Sequence, residues 1–293
     1  MLKGKENVLR TLRVNATAAP ALDAGEVHVW ISRTNLPRTA VEGLKGTLSA
    51  EELERANLLR FEERRNQFLV SRGLLRIILA RYAERPANEL AFSLEPGGKP
   101  RLADGGGPSR LQFNLGHSGT ICVIAVTRLE MVGVDVEEAR SDIDMDAVAR
   151  RILTGREWAE FDRLSAGERS SWLHSVWSKK EAFVKAMGVG MAMPFQEVET
   201  TGFWRNRSGS PFLRSDGLDF PAWWSESFVP AAGYVGAVAT LGIPSSVSYR
   251  WEIVTGGAGP IGSQVVRMGC GCGSVLPDWS IGVLSAPTSP FRM

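Results

Sequence analysis

The sequence predicts an α+β chain with mixed α/β elements, built as a pseudo-twofold pair of similar αβ subdomains whose active site lies at their interface. Two observations predict it. Amphipathic helical stripes and short β-branched runs alternate from about residue 26 to residue 250 of the 293-residue chain. The order of elements in the first half, strand then helices then strands, recurs faintly in the second, as a duplicated unit would give, and two such units enclose one cleft between them.

Residues 1 to 24 lack periodicity and read as a flexible leader. Val27-His28-Val29-Trp30-Ile31 is a strand, with His28 pointing outward as a surface histidine. Ser49-Ala50-Glu51-Glu52 is a capping box, and a long helix follows from about Glu63 to Tyr82, its buried stripe made of Phe68, Leu69, Leu75, Ile78 and Leu79. Arg64, Arg65, Arg72, Arg76 and Arg81 decorate that helix, either as a solvated face or as cations for a phosphate-rich ligand. Pro86 ends it. Leu90 to Leu94 is a strand, and Pro96-Gly97-Gly98 is a turn whose glycines allow a close backbone approach to a ligand. Ile121 to Val126 is a buried strand.

The second half opens on Val132-Gly133-Val134-Asp135-Val136-Glu137. Its period of two puts Asp135 and Glu137 on one face and the valines on the other. Two carboxylates side by side repel unless a cation lies between them, and oxygen-only donors suit Mg²⁺. A capped helix starts near Asp144, and another spans 171 to 187, ending in Gly188 and Gly190. On this last helix Lys180, Glu181 and Lys185 fall beside or within the apolar stripe of Leu173, Val176, Trp177, Val184 and Met187. Either Glu181 and Lys185 form an i,i+4 ion pair, or Glu181 joins Asp135 and Glu137 as a third metal ligand facing a phosphorylated substrate. Trp204 to Asp219 reads as a hairpin turning at Asn206, Ser208 and Gly209, and Tyr234 to Ala239 is a closing strand. The ordered fold is expected to end near Arg250. The resulting division is a leader at 1–24, an N-terminal subdomain at 25–130, a C-terminal subdomain with the Mg²⁺ site at 131–250, and a disordered extension at 251–293.

Gly133-Val134-Asp135-Val136-Glu137 and Trp177-Ser178-Lys179-Lys180-Glu181-Ala182-Phe183-Val184-Lys185 together resemble the paired signature of the 4′-phosphopantetheinyl transferases, in their long, two-subdomain Sfp-type form. Gly98-Lys99-Pro100 and Phe113-Asn114-Leu115-Gly116-His117-Ser118 are similar to two further motifs of that family, in the family's order. The resemblance covers residues 25 to 245. It implies transfer of the 4′-phosphopantetheine arm of coenzyme A to a serine of an apo acyl or peptidyl carrier protein, with release of 3′,5′-ADP and with Mg²⁺ as cofactor. It assigns Asp135, Glu137 and Glu181 to the metal, and His117, Lys180 and Lys185 to the coenzyme phosphates. Gly98, Lys99 and Pro100 fall to the adenine pocket. Leu153-Thr154-Gly155-Arg156-Glu157 resembles the segment around the proposed base and gives Glu157 that role, with Glu181 and Lys185 beside it in catalysis. Two residues depart from the family: Gly116 stands where it has Ser, and Gln67 where it commonly has Arg. Restoring Gly116→Ser or Gln67→Arg is expected to tighten coenzyme A binding, and Arg72 or its neighbours to compensate meanwhile. The rival functions are a non-catalytic coenzyme A or carrier-binding protein and a Mg²⁺-dependent nucleotide phosphohydrolase.

Composition narrows the partners. The 34 basic and 32 acidic residues nearly balance, which gives no nucleic-acid stripe and no polybasic membrane patch. No apolar run reaches the roughly 18 residues that span a bilayer. Three cysteines are too few for a disulfide framework, and the reading is a cytoplasmic monomer.

Overall fold

The computed structural model describes residues 20–103, 111–139, 144–190, 193–200, 213–214, 223–252, 254 and 263–265. In chain order these form β1 (Glu26–Arg33), α1 (Arg38–Lys45), α2 (Ala50–Asn57), α3 (Glu62–Ala83), β2 (Phe92–Leu94), β3 (Pro100–Leu102), β4 (Gln112–Ser118), β5 (Ile121–Thr127) and β6 (Val132–Glu138). They continue with α4 (Met145–Ile152), α5 (Gly155–Asp162), α6 (Ala166–Met187), β7 (Val198–Glu199), β8 (Leu213–Arg214), β9 (Trp223–Phe228), β10 (Tyr234–Leu241), β11 (Ser246–Glu252) and β12 (Ser263–Val265).

Four layers stack on one another. A five-stranded sheet runs β12-β11-β1-β5-β4, and a three-stranded antiparallel sheet runs β6-β10-β9. The strand period decides what each face meets. Val27, Val29, Ile31, Val123 and Ala125 of the first sheet share one core with Val132, Val134, Val136 and Val238 of the second. On the opposite face of the first sheet, Trp30, Phe113, Ile124 and Val126 pack on Leu74, Leu75, Ile78 and Leu79 of α3. On the opposite face of the second, Ala237 and Ala239 pack on Ala182, Phe183 and Val184 of α6. A 22-residue helix thus covers each sheet: α3 the five-stranded one, which is mixed, and α6 the antiparallel three-stranded one.

β6 lies so close to α6 because residue 133 is glycine: a Cβ there would stand 1.9 Å from the Ala182 carbonyl oxygen. Larger side chains would hold the helix off the strand and move every residue that follows on either element.

The chain after β10 returns to the first sheet, where β11 pairs parallel to β1, from Glu26 opposite Ser246 to Ile31 opposite Trp251. Glu252, at the end of β11, receives two hydrogen bonds from the Arg81 guanidinium at 2.7 and 2.8 Å. Both side chains are buried. Ser263–Val265 adds to β11 as an edge strand within the stretch expected to be a structureless extension. The proposed hairpin turn at Asn206, Ser208 and Gly209 lies outside the described residues, as does most of the leader. His28 corrects its surface reading. It points to the α3 side, is 1% exposed, and meets the Tyr82 hydroxyl at 2.7 Å and the Arg250 guanidinium at 3.1 Å. The reason is that both faces of β1 are covered, so alternation on this strand does not separate inside from outside.

Candidate active site

Period two on β6 turns Gly133, Asp135 and Glu137 toward α6 while Val132, Val134 and Val136 enter the core. Glu181 and Lys185, one helical turn apart, face back from α6. The Lys185 ammonium reaches across the interface to Asp135 Oδ1 at 2.5 Å. The local i,i+4 pair with Glu181 therefore gives way to a tertiary one. Asp135 is 3% exposed, and its second oxygen, Oδ2, is buried with no hydrogen-bond partner. Leaving a buried carboxylate oxygen unpaired is costly, and such an atom is a natural place for a cation or a donor on a ligand.

The charges in this group do not balance, since three carboxylates face one ammonium. Burial, and then the Asp135 charge, push the Glu137 carboxyl up to about 7. Burial and Asp135 raise Glu181 too. Burial pulls Lys185 down, but Asp135, Glu181 and Glu137 outweigh it and hold the ammonium above the usual lysine range. Among the described residues no three His, Cys, Asp or Glu side chains close around one point as a ready metal site. The donor set nevertheless fits a hard divalent cation: it is all oxygen, it has surplus negative charge, and Asp135 Oδ2 is buried and unused.

His117, on the exposed end of β4, has its pKa lowered by partial burial and then by Lys185, Arg64 and Arg72. Lys185, Arg64 and Arg72 thus disfavour the charged form of this imidazole. Most of the α3 arginines are spent elsewhere. Arg65 donates to the Leu59 carbonyl, Arg76 to Glu52 and to the Ala87 and Leu90 carbonyls, and Arg81 to Glu252. Arg72 packs over the Phe68 ring at 5.8 Å and makes no ion pair among the described residues. Arg64 and Arg72 make no such bond among the described residues. Gln67 donates to the Gly119 carbonyl at 3.0 Å, tying α3 to the turn after β4.

Three expected site residues are placed differently. Glu157 and Lys180 are both 0% exposed and form their own pair, 2.5 Å apart. Lys180 also donates to the Ile152 and Phe195 carbonyls. The Glu157 oxygens accept from the Thr154 N–H, the Thr200 N–H and the Thr200 hydroxyl. Glu157 is the third residue of a capping box on α5, so its carboxylate turns back to its own helix start. A carboxylate so enclosed has neither a free lone pair nor access to a substrate hydroxyl, which corrects its reading as the base. An ammonium with three internal acceptors is likewise no phosphate ligand.

Lys99 is the third. The residue is 8% exposed, and its ammonium donates to the Val132 carbonyl at 3.0 Å and the Ala186 carbonyl at 2.8 Å. It thereby caps the C-terminal end of α6, and burial lowers its pKa to about 8. The close approach that Gly97 permits is also to protein: a Cβ there would stand 1.5 Å from the Gly188 carbonyl oxygen. Gly98 has φ +82° with open space around it, and Pro100 opens β3 opposite Leu94, so these two remain at the surface of the turn.

The sequence reading passed over Ser118, whose hydroxyl donates to Glu137 Oε2 at 3.1 Å and accepts the Glu138 N–H at 3.1 Å. The period of two from Asn114 through Gly116 to Ser118 was the available signal.

Comparison with known proteins agrees with the motifs. The 4′-phosphopantetheinyl transferase superfamily profile matches residues 131–239, and the profile described as 4′-phosphopantetheinyl transferase, N-terminal, matches residues 39–129. The 4′-phosphopantetheinyl transferase HetI of Nostoc sp. is 34% identical over 217 residues, covering 74% of this chain and 88% of the relative. The 4′-phosphopantetheinyl transferase Sfp of Bacillus subtilis is 26% identical over 147 residues, covering 50% of this chain and 63% of its own. A solved holo-[acyl-carrier-protein] synthase of Thermotoga maritima covers 38% of this chain and 62% of its own at 24% identity and a TM-score of 0.31, too slight a likeness to bear on the fold.

Proposed function

We infer the activity from family membership: this chain belongs to the 4′-phosphopantetheinyl transferase superfamily, and it transfers the 4′-phosphopantetheine arm of coenzyme A to a serine of an apo carrier protein. The serine Oγ forms a bond to the phosphorus on the pantetheine side of the pyrophosphate. The bond from that phosphorus to the bridging oxygen breaks, and its electron pair leaves with 3′,5′-ADP. The serine proton departs as the new bond forms.

The observation that carries the assignment of the site is the Asp135–Glu137–Glu181–Lys185 group, in which Asp135 Oδ2 is buried without a hydrogen-bond partner. Asp135, Glu137 and Glu181 would hold Mg²⁺, which when bound neutralises charge on the pyrophosphate and its leaving oxygen. Lys185 opposes the burial that raises the Asp135 pKa and adds a positive charge beside the reacting phosphates. His117, Arg64 and Arg72 receive the other phosphate oxygens, for which arginine offers paired donors. Gly98 and Pro100 line the adenine end from the surface of their turn. With Glu157 enclosed, the serine proton passes to a carboxylate of the cleft group or to a water it orients. Most of the acceleration comes from charge and positioning.

We further propose a cytoplasmic monomer. Balanced charge and the small number of cysteines support that reading, and among the described residues no helix is long and apolar enough to cross a membrane. The test is to incubate the chain with coenzyme A, Mg²⁺ and an apo-carrier and to weigh the carrier. A gain of one phosphopantetheine is expected. Cleavage of coenzyme A with no change in the carrier would replace the reading with a phosphohydrolase, and binding without turnover would replace it with a carrier- or coenzyme-binding protein.

A further inference from the structure

The motif on β4 divides by parity, and its two faces do different work. Phe113 and Leu115 pack toward α3, and His117 follows them to the arginine side. Asn114, Gly116 and Ser118 point the other way, each to successive residues of β6. The buried Asn114 side chain accepts the Val134 N–H at 3.0 Å. Gly116 lies so near that an added Cβ would be 3.0 Å from the Val134 carbonyl oxygen and 3.1 Å from the Asp135 Cα. Ser118 takes the Glu138 N–H and donates to the Glu137 carboxylate.

β4 and β6 belong to different sheets, so no main-chain ladder fixes one against the other. Three side-chain hydrogen bonds take the ladder's place. Two of them satisfy β6 amides that face away from β10, and the third orients a carboxylate directly. We propose that Asn114 and Ser118 are positioning residues: they clasp the acid-bearing strand to β4 and set where the Asp135 and Glu137 carboxylates stand relative to Glu181 and Lys185. The proposal rests on the reading of those carboxylates as cation ligands. It assigns Ser118 a role toward protein, with His117 alone of the pair turned to the coenzyme.

Mn²⁺ binding by the full-length chain without coenzyme separates the possibilities, measured alongside coenzyme A binding in EDTA and steady-state transfer. For Ser118→Ala we expect Mn²⁺ affinity to fall about tenfold, the scale on which partners of metal-binding side chains act, with coenzyme A binding in EDTA changed by less than about twofold. kcat should fall with little change in the KM for coenzyme A. Ser118→Thr, which keeps the hydroxyl, should restore Mn²⁺ affinity to within about threefold of wild type. In Asn114→Ala the Val134 amide, and in Ser118→Ala the Glu138 amide, should exchange with solvent faster while the rest of β6 stays protected. That readout holds even if Asn114→Ala lowers stability. Wild-type Mn²⁺ affinity in Ser118→Ala, or a loss of coenzyme A binding in EDTA as large as the loss of Mn²⁺, would overturn the clasp and leave the transferase reading standing. A wild-type chain that transfers phosphopantetheine but takes up no Mn²⁺ would overturn the cation ligands and the clasp together.

Discussion

Helix α6 carries Lys180 and Glu181 side by side, and they belong to two charged groups of opposite character. Lys180 and Glu157 are sealed, with 0% exposure and protein partners for the ammonium and for both carboxylate oxygens. Glu181 joins a group that is short of partners: surplus negative charge, a buried oxygen with nothing bonded to it, and carboxyls pushed toward neutrality. Burial is common to both, so burial does not distinguish a frame from a site. Saturation does. A saturated pair spends its hydrogen bonds on joining α5, α6 and the segment before β7, and the unsaturated group keeps its own for a ligand.

The largest effect should come from opening the sealed pair. Lys180→Met leaves the Glu157 carboxylate and two carbonyls buried without their cation. The cost is about 3–5 kcal/mol, a fall on the order of 10 °C in Tm at roughly 2–4 °C per kcal/mol. Adding Glu157→Leu should recover part of it, and thermal melts of the single and double variants read this directly. Full stability in Lys180→Met with transfer abolished would mean that the pair is catalytic after all.

In the unsaturated group the signs reverse. Asp135→Asn and Glu181→Gln should each lower transfer by about a hundredfold or more. Glu181→Gln should also raise the Tm of the metal-free chain by a few degrees, because about 1 kcal/mol of like-charge repulsion is removed. A fall in that Tm with activity retained would show that Glu181 is an ordinary structural acid.

Gly116→Ser tests how closely β4 and β6 meet. The family residue was expected to tighten coenzyme A binding. The structure places its Cβ against β6 at 3.0–3.1 Å, beside Asp135, so the strands must yield by a few tenths of an ångström. We expect a loss of about 1 kcal/mol in stability and weaker Mg²⁺ binding, measured by chemical denaturation and calorimetry. Tighter coenzyme A binding at unchanged stability would restore the expectation from sequence.

A further effect is in the pH dependence. The Glu137 carboxyl is raised from 4.5 to about 7 in the folded state, so the folded chain holds a proton that the unfolded chain has released. Its contribution to stability is complete below the ordinary pKa and is lost as pH rises through about 7. The Tm of the metal-free chain should therefore decline across that window, and Glu137→Gln should flatten the decline. A Tm that rises over the same range would assign Glu137 a stabilising partner instead.

Much of this was legible along the chain. Alternation on β6 identified Asp135 and Glu137 as sharing a face, and helical spacing identified Glu181 and Lys185 as neighbours. The capping box that Glu52 closes at Ser49 is a local pattern; the one that Glu157 closes at Thr154 is equally local, yet it was read as a candidate base. The α3 arginines were legible as a set but not as individuals, because only the folded chain shows which of them find carbonyls and carboxylates. Lys99 and His28 misled for the same reason: a polar residue in a motif or on a strand carries no mark of whether its partner is protein or ligand.

The sequence by itself determined the family, the class of chemistry and the faces on which the acids lie, since periodicity and motif spacing are properties of neighbouring residues. Tertiary structure alone decided which charges are used up. That Lys185 pairs with Asp135 and not Glu181, that Lys180 closes on Glu157, and that β11 returns to β1 with Glu252 beneath Arg81 all depend on contacts between distant segments. The first of those contacts depends on Gly133, which lets β6 touch α6. A glycine in a sequence records that room was needed, but not what fills it.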